Sequence, residues 1–196
     1  MIEAHPLGLT WVMDDPVVRT SHALADDGRV WLIDPVDEPE ALERAAALGT
    51  PVAVLQLFVA HPRDGAAIAA RLGVPLKVLP DAVPPFEVID LSLGPWKERA
   101  LWWPQRRGLI VPEAVGTAEH YAVGPGPAGV HMLRRALPPG RLRDFAPEHL
   151  LVGHGAPLHG ESAAAGLHDA LARSRRDIPT LVWKLPSIMR GMRTRR

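Results

Sequence analysis

The sequence contains no cysteine among its 196 residues. Disulfide bonds and thiolate metal ligands are therefore excluded, which fits a protein of the cytoplasm. No run approaches the roughly 18 uninterrupted apolar residues of a membrane-spanning helix, so we predict no transmembrane segment. The N-terminal stretch MIEAHPLGLTW lacks the basic and then apolar segments of a signal peptide. We expect a cytoplasmic location.

An overall excess of charge is also lacking, because 22 basic residues balance 22 acidic ones. The balance is uneven along the chain: residues 173–196 carry eight basic side chains and one acidic one, a net charge of +7, and the remainder carries −7. A basic tail can bind nucleic acid or an anionic membrane surface. No nucleic-acid-binding motif accompanies it, so we expect a solvated extension or one that packs on the acidic body, with no nucleic-acid partner.

The chain is long enough for one domain with a sizeable core and too short for two comfortable ones. Apolar residues make up 47% of it, which is typical of a globular protein. We predict a single domain over residues 1–175, followed by a basic C-terminal extension over residues 176–196.

The clearest local pattern is a strand, a polar turn and a helix between Pro51 and Val74. The apolar run 52–59 predicts a buried strand. The turn His-Pro-Arg-Asp-Gly at 61–65 breaks it, and apolar residues then recur at helical spacing until Gly73. Residues at such a turn project from the end of a strand, where α/β proteins usually carry their chemistry.

The rest of the chain also alternates between predicted strands and predicted helices. Three strands in meander precede the first helix, at 38–48, and a proline-rich middle holds further short strands. Later elements are a long loop at 116–129, a short helix at 130–137, a strand at 150–152 and helices at 162–175 and 178–192. Hairpins at the front of each half, followed by alternating strands and helices, predict an α+β sandwich of two sheets with helices outside.

Four segments, in order along the chain, resemble motifs of the metallo-β-lactamase-like hydrolase superfamily. They are the strand end VWLID at 30–34, the strand–turn–helix at 55–73, the segment RGLIVPEA at 107–114 and the segment LLVGHGAP at 150–157. The resemblance implies a four-layer αββα sandwich with two mixed β-sheets and helices on the outside. It also implies hydrolysis at one or two bound zinc or iron ions.

The family's metal ligands come from an HxHxDH turn, a later histidine, the Asp of a GDal motif and the His of a GHG motif. Here the later histidine is missing from the stretch 93–96. The resemblance places the remaining ligand positions on Leu57, Val59, His61, Pro62, Glu113 and His154. Only the last two of these, together with His61, offer side chains that suit a metal.

Two main functions therefore stay open, beside a less favoured third in which the basic tail binds nucleic acid or a membrane surface. The first is a metallo-β-lactamase-fold protein that has lost most of its metal ligands, has no cofactor and no catalytic activity, and binds an unknown small molecule or protein. The second is a divergent metal-dependent hydrolase with a reduced, mononuclear site built from His61, Glu113 and His154 around zinc or iron. Apolar surface left at a vacated pocket is compatible with a homodimer.

Each candidate residue also has a purely structural interpretation. The ring of His154 can lock its glycine-flanked loop by bonding backbone carbonyls, and His61 can be an exposed turn residue. Arg63 and Asp64 fit a salt-bridged helix start. The tryptophans at 96, 102 and 103 fit core and rim packing, or an apolar patch that accepts a ligand.

Overall fold

The computed structural model describes residues 1–194, so the last two residues of the predicted extension lie outside the described part. The first half of the chain forms a six-stranded sheet in which sequence order is also spatial order. The first four strands are an antiparallel meander, and the last three pair in parallel. The strands are β1 Ile2–His5, β2 Gly8–Val12, β3 Thr20–Asp26, β4 Arg29–Ile33, β5 Thr50–Gln56 and β6 Leu76–Val78.

The second half forms a five-stranded sheet and a small two-stranded one. The larger sheet has the order β13-β12-β9-β8-β7, with only β9 and β12 parallel. The small sheet pairs β10 with β11 in antiparallel fashion. The strands are β7 Glu87–Asp90, β8 Arg99–Trp103, β9 Gly108–Val111, β10 Val115–Gly116, β11 Gly129–Val130, β12 His149–Val152 and β13 Leu158–His159.

Four α-helices cover the sheets: α1 Pro39–Ala46, α2 Gly65–Leu72, α3 Glu161–Arg173 and α4 Ile178–Thr194. Three apolar clusters define the layers. One joins α1 and α2 to the first sheet, one lies between the two sheets, and one joins α3 to the second sheet. The predicted α+β, αββα sandwich is thereby confirmed. Among the described residues, no helix combines the length and apolar character needed to cross a membrane.

Two helical predictions differ from the structure. The segment predicted as a helix at 130–137 holds only a 3-10 turn at Met132–Arg134, because β11 takes its first residue and Pro138 and Pro139 prevent extension. The last helix, expected to be shortened by its prolines, runs through Pro186. Pro186 lies on an exposed face, where the carbonyl that the proline leaves unpaired reaches water.

A buried polar chain runs between the sheets. His5 donates through Nε2 to Thr10 Oγ1 (2.9 Å), whose hydroxyl donates to His22 Nδ1 (2.7 Å), and His22 Nε2 donates to the carbonyl of Val152 (3.0 Å). Because that carbonyl only accepts, the proton of the neutral His22 ring is on Nε2. Burial lowers the pKa of His22 to about 3 and that of His5 to about 4. Both rings are therefore neutral near pH 7.

This burial of His22 makes the fold sensitive to acid. The folded state disfavours protonation, so the contribution of His22 is complete above its ordinary pKa of 6.5 and is lost as the pH falls towards 3. Between pH 7 and pH 4 the loss is about 3 kcal/mol. We expect His22→Gln, which keeps a donor and an acceptor, to reduce the difference between urea unfolding free energies at these two pH values by this amount. The exposed control His168→Gln leaves the difference unchanged; equal behaviour of the two variants would contradict the assignment.

Candidate metal centre

Three polar side chains meet where strands from both sheets end. His61 lies in the turn after β5, Glu113 in the loop after β9, and His154 directly after β12. These three strands have their carboxyl ends at the same edge of the sandwich, so residues far apart in sequence come together there. All three side chains are buried. The structure thus brings together the three residues that the sequence singled out.

The donor atoms of this cluster point at one place. Oε2 of Glu113 lies 2.8 Å from Nε2 of His61 and 3.0 Å from Nε2 of His154, and the two nitrogens are 3.3 Å apart. Within residues 1–194 this is the only group of three or more His, Cys, Asp or Glu side chains whose donor atoms converge closely enough to hold a metal ion.

The other nitrogen of each ring fixes which atom carries the proton. Nδ1 of His61 lies 3.2 Å from a carboxylate oxygen of Asp34, and Nδ1 of His154 lies 2.7 Å from the carbonyl of Val17. Both partners only accept hydrogen bonds, so both Nδ1 atoms are protonated. In the neutral rings the Nε2 lone pairs then face Glu113. A carboxylate or carbonyl behind a ligating histidine is the usual way in which proteins orient imidazole towards a metal.

The two oxygens of Glu113 have different surroundings. Oε1 accepts the hydroxyl of Tyr121 at 2.9 Å and lies 3.4 Å from Nε2 of His131. Nδ1 of His131 accepts from the backbone N–H of Leu133, so in the neutral ring Nε2 is protonated and faces Oε1. Oε2 is buried without a hydrogen-bond partner and faces the two imidazole nitrogens. An ionised oxygen in this position needs a cation beside it.

The electrostatics of the cluster lead to the same requirement. Burial alone would raise the pKa of the Glu113 carboxyl, but His154 and His61 hold it well below its usual range. Burial likewise opposes protonation of His61, yet the neighbouring carboxylates of Asp34 and Glu113 raise the pKa of that ring. The centre of the cluster therefore favours a positive charge, which a proton on one Nε2 or a metal ion can supply. The donor set fits zinc or iron.

A second, fully buried carboxylate supports the loop that carries Glu113. One oxygen of Glu98 accepts the backbone N–H groups of Glu113 (3.0 Å) and Ala114 (2.8 Å), and the other accepts the indole N–H of Trp96 at 2.6 Å. Burial raises the pKa of Glu98 to about 7, against the effect of these three donors. Glu98 therefore holds both a candidate ligand and an aromatic side chain of the site.

The predicted helix start at Arg63 and Asp64 is confirmed, since Asp64 is the N-cap residue of α2, but the predicted salt bridge between the two side chains is wrong. The guanidinium of Arg63 turns inward and donates to the backbone carbonyls of Thr20 (2.5 Å), Asp34 (2.8 Å) and Gly153 (3.0 Å). It thereby joins the ends of strands from both sheets. The carboxylate of Asp64 accepts a backbone N–H from another loop instead of pairing with Arg63. Carbonyls at strand ends have acceptor capacity left over from the sheet, and the Arg63 guanidinium uses it to connect three strand ends.

The remaining predicted positions do not contribute donor atoms. Leu57 lies in the core between the sheets, whereas Val59 and Pro62 are exposed at the turn. Trp103 is buried in the cluster between the sheets. Trp102 packs against the cluster that joins α3 to the second sheet. Trp96 instead lies at the site, so the aromatic cluster divides between packing and lining a cleft.

Sequence reasoning missed Glu98, Tyr121 and His131. Tyr121 lies in the glycine- and proline-rich stretch predicted as a long loop, and His131 lies just after it. In that loop, only the adjacent polar aromatic side chains of His120 and Tyr121 could have indicated a functional residue. A glycine in this stretch explains the loop's course: a Cβ on Gly129 would overlap the carbonyl of Tyr121. This close passage lets the loop fold back over the cluster.

Two clefts open beside the cluster. One, of 370 Å³, is lined by His61, His154 and Glu113 together with residues of the loops around 17–19 and 58–63. The other, of 440 Å³, is mostly apolar. Phe58 and Glu113 line both clefts, so the two clefts adjoin at these side chains, beside the candidate metal position.

Comparison with known proteins gives no sequence match: neither a protein-family model nor a curated protein corresponds to this chain. Solved structures do match in shape. The metallo-β-lactamase FIM-1 from Pseudomonas aeruginosa, in its mono-zinc form, has a TM-score of 0.61 at 9% identity over 89% of this chain and 96% of that one. TTHA1623 in a di-iron-bound form has a TM-score of 0.56 at 18% identity over 76% and 93%.

A metallo-β-lactamase from Hirschia baltica matches similarly, with a TM-score of 0.56 at 11% identity over 87% of this chain and 97% of the other. Identities this low establish the architecture and leave the activity open. The chain spans nearly the full length of all three structures. This chain therefore has the metallo-β-lactamase fold.

Proposed function

We propose that the protein is a metal-dependent hydrolase with a mononuclear centre held by His61, Glu113 and His154. The observation that carries this proposal is the convergence of two imidazole lone pairs and one donorless, buried carboxylate oxygen. Without a cation, these electron-rich atoms would repel one another. Zinc and iron, which are bound in the mono-zinc FIM-1 and di-iron TTHA1623 structures, suit this donor set.

The chain's own residues prepare the centre for an ion. Asp34 and the carbonyl of Val17 keep the two Nδ1 atoms protonated, so both Nε2 atoms stay available. Tyr121 occupies Oε1 of Glu113 and leaves Oε2 free to ligate. When bound, such an ion polarises a substrate carbonyl or phosphoryl group and makes water acidic enough to attack it near neutral pH.

The lack of further ligands separates this proposal from a binuclear hydrolase. Leu57, Val59 and Pro62 stand where the resemblance predicts ligands, and none of these side chains has a donor atom. We therefore propose a centre that holds one metal ion, with the positions of a second ion lost. The competing hypothesis is a protein that keeps this fold but binds no metal. The metal content of the purified protein distinguishes it from the mononuclear hydrolase.

The test is elemental analysis of protein purified without chelator from cells supplied with zinc, iron and manganese, followed by ester hydrolysis assays. We expect about one equivalent of metal per chain, as three protein ligands provide in mononuclear sites. Chelation should abolish hydrolysis, and one equivalent of metal should restore it. Metal far below one equivalent, in protein that also fails to take it up on titration, would contradict the proposal. If the protein holds one equivalent of metal but hydrolyses none of the esters, amides and phosphoesters tested, it is a metal-binding protein and not a hydrolase.

A further inference from the structure

The cleft of 440 Å³ has an unusual lining for a site beside a charged cluster. Its walls are formed by apolar and aromatic side chains, with three polar residues among them. Leu93 is 43% exposed and Leu133 is 75% exposed, so both present apolar surface to the cleft. The lining residues are Phe58, Leu93, Pro95, Trp96, Glu113, His131, Leu133 and Arg134.

The three polar residues are already engaged with other protein groups. The carboxylate of Glu113 accepts the hydroxyl of Tyr121 and faces His61 and His154. The guanidinium of Arg134 donates to the carbonyl of Leu91 at 2.8 Å. The protonated nitrogen of His131 faces Glu113. Arg134 is buried, with its guanidinium on backbone carbonyls and over the Trp96 ring, so the surface that the cleft offers to a ligand is mostly apolar and suits an uncharged group.

The apolar wall is also held in place. Trp96 donates its indole N–H to the buried Glu98, and the guanidinium of Arg134 lies over its ring, 5.4 Å from the ring centre. Phe58 packs against Trp96 with ring centres 4.7 Å apart and against His61 at 5.1 Å. An aromatic surface that is rigid before binding costs little conformational entropy when a ligand covers it.

We propose that the substrate carries an uncharged alkyl or aryl group next to its reacting bond, and that this group lies in the cleft between Trp96 and Leu133. The inference rests on the proposed function, because the candidate ligand Glu113 lines this cleft and thereby places it beside the reacting centre. The opening at His61 and His154 then receives the polar, reacting part of the same molecule. The size of the cleft, 440 Å³, lies in the range of small-molecule sites.

Two series of probes test this assignment. Butanoate, hexanoate and octanoate are titrated calorimetrically into zinc-loaded protein, where the carboxylate can meet the ion and the chain can enter the cleft. The matching alcohols, butanol, hexanol and octanol, are titrated into metal-free protein. We expect affinity to rise about fourfold for each added CH₂ in both series, as burial of a methylene predicts.

Variants locate the effect. Leu133→Asp places a carboxylate in the apolar wall, and we expect it to lower the affinity for octanoate and octanol by about tenfold or more. Leu137→Asp is the matched control, since Leu137 is 58% exposed nearby but does not line this cleft. It should change neither series. An equal loss in both variants would overturn the assignment.

The outcomes separate this inference from the proposed function. If the protein binds zinc but its affinity for the carboxylates and alcohols does not depend on their chain length, the apolar cleft is contradicted and the metal centre is still supported. Failure to bind zinc, iron or manganese, together with a rising alcohol series that Leu133→Asp abolishes, would support the cleft and overturn the hydrolase. A flat alcohol series in metal-free protein would overturn the cleft whatever zinc does.

Discussion

Replacing His154 by alanine is expected to lower the affinity for zinc by more than about 100-fold. Changes to residues that merely orient a ligating group cost about 10–100-fold, so the loss of a ligand itself should exceed that range. The remaining donors, His61 and Glu113, cannot close a three-ligand site. The affinity is measured by competition with a chromophoric chelator, on protein whose folding in the metal-free state is checked by thermal unfolding.

His168→Ala is the control for this experiment. His168 is an exposed histidine on α3, bonded to the carbonyl of Phe145, and it shares no contact with the cluster. Like His154→Ala, this variant removes one histidine. A neutral surface change is worth about 0.4 kcal/mol, so the zinc affinity should stay within about twofold of that of the unchanged protein. If His154→Ala bound zinc as tightly as His168→Ala, the metal would sit elsewhere and the proposed centre would be wrong.

Arg63→Met is expected to lower the free energy of unfolding of the metal-free protein by about 3 kcal/mol or more. Methionine keeps much of the apolar stem but removes three hydrogen bonds from a charged donor, each of which contributes about 1.5–3 kcal/mol. The carbonyls of Asp34 and Gly153 keep the Ser21 hydroxyl and the Thr20 N–H as donors, so the expected loss lies towards the lower end of the sum. The unpartnered Nε of Arg63 offsets part of this loss, because its burial already destabilises the folded state. Urea unfolding measures the change, with an unaltered denaturant slope showing that cooperativity is retained.

The chain offers a matched arginine on its surface. Arg71 makes a two-pronged pair with Asp37, at 2.9 and 2.8 Å, yet both partners are solvent-exposed. Solvent screens an exposed ion pair, so Arg71→Met should cost far less than Arg63→Met. Similar losses in the two variants would show that the inward-facing guanidinium of Arg63 contributes no more than a surface ion pair.

The contrast between these two arginines shows what local sequence can and cannot predict. Gly73 ends α2 in a left-handed conformation, and the apolar run before the turn forms β5; both features follow from neighbouring residues and were predicted. Arg63 belongs to the same stretch, but its role depends on carbonyls at positions 20, 34 and 153. Nothing in a polar turn indicates which distant backbone atoms will surround it.

The candidate site divides in the same way. His61, Glu113 and His154 could be singled out because each stands in a segment with a recognisable pattern, and the structure brings their donor atoms together. Their use as metal ligands stays a prediction. Glu98 and Tyr121 could not be found, because a lone glutamate near a strand and a tyrosine in a loop carry no periodic or motif signal. Only the folded backbone brings them beneath and beside Glu113.

The meeting of both sheets at one edge also has a mechanical consequence. His61 and His154 are 93 positions apart and belong to different halves of the sandwich. An ion shared between them would act as a removable cross-link that closes a long loop of chain and fastens one sheet to the other. The halves could then separate at that edge only after releasing the ion, so the lifetime of the folded state would follow free metal concentration as well as temperature.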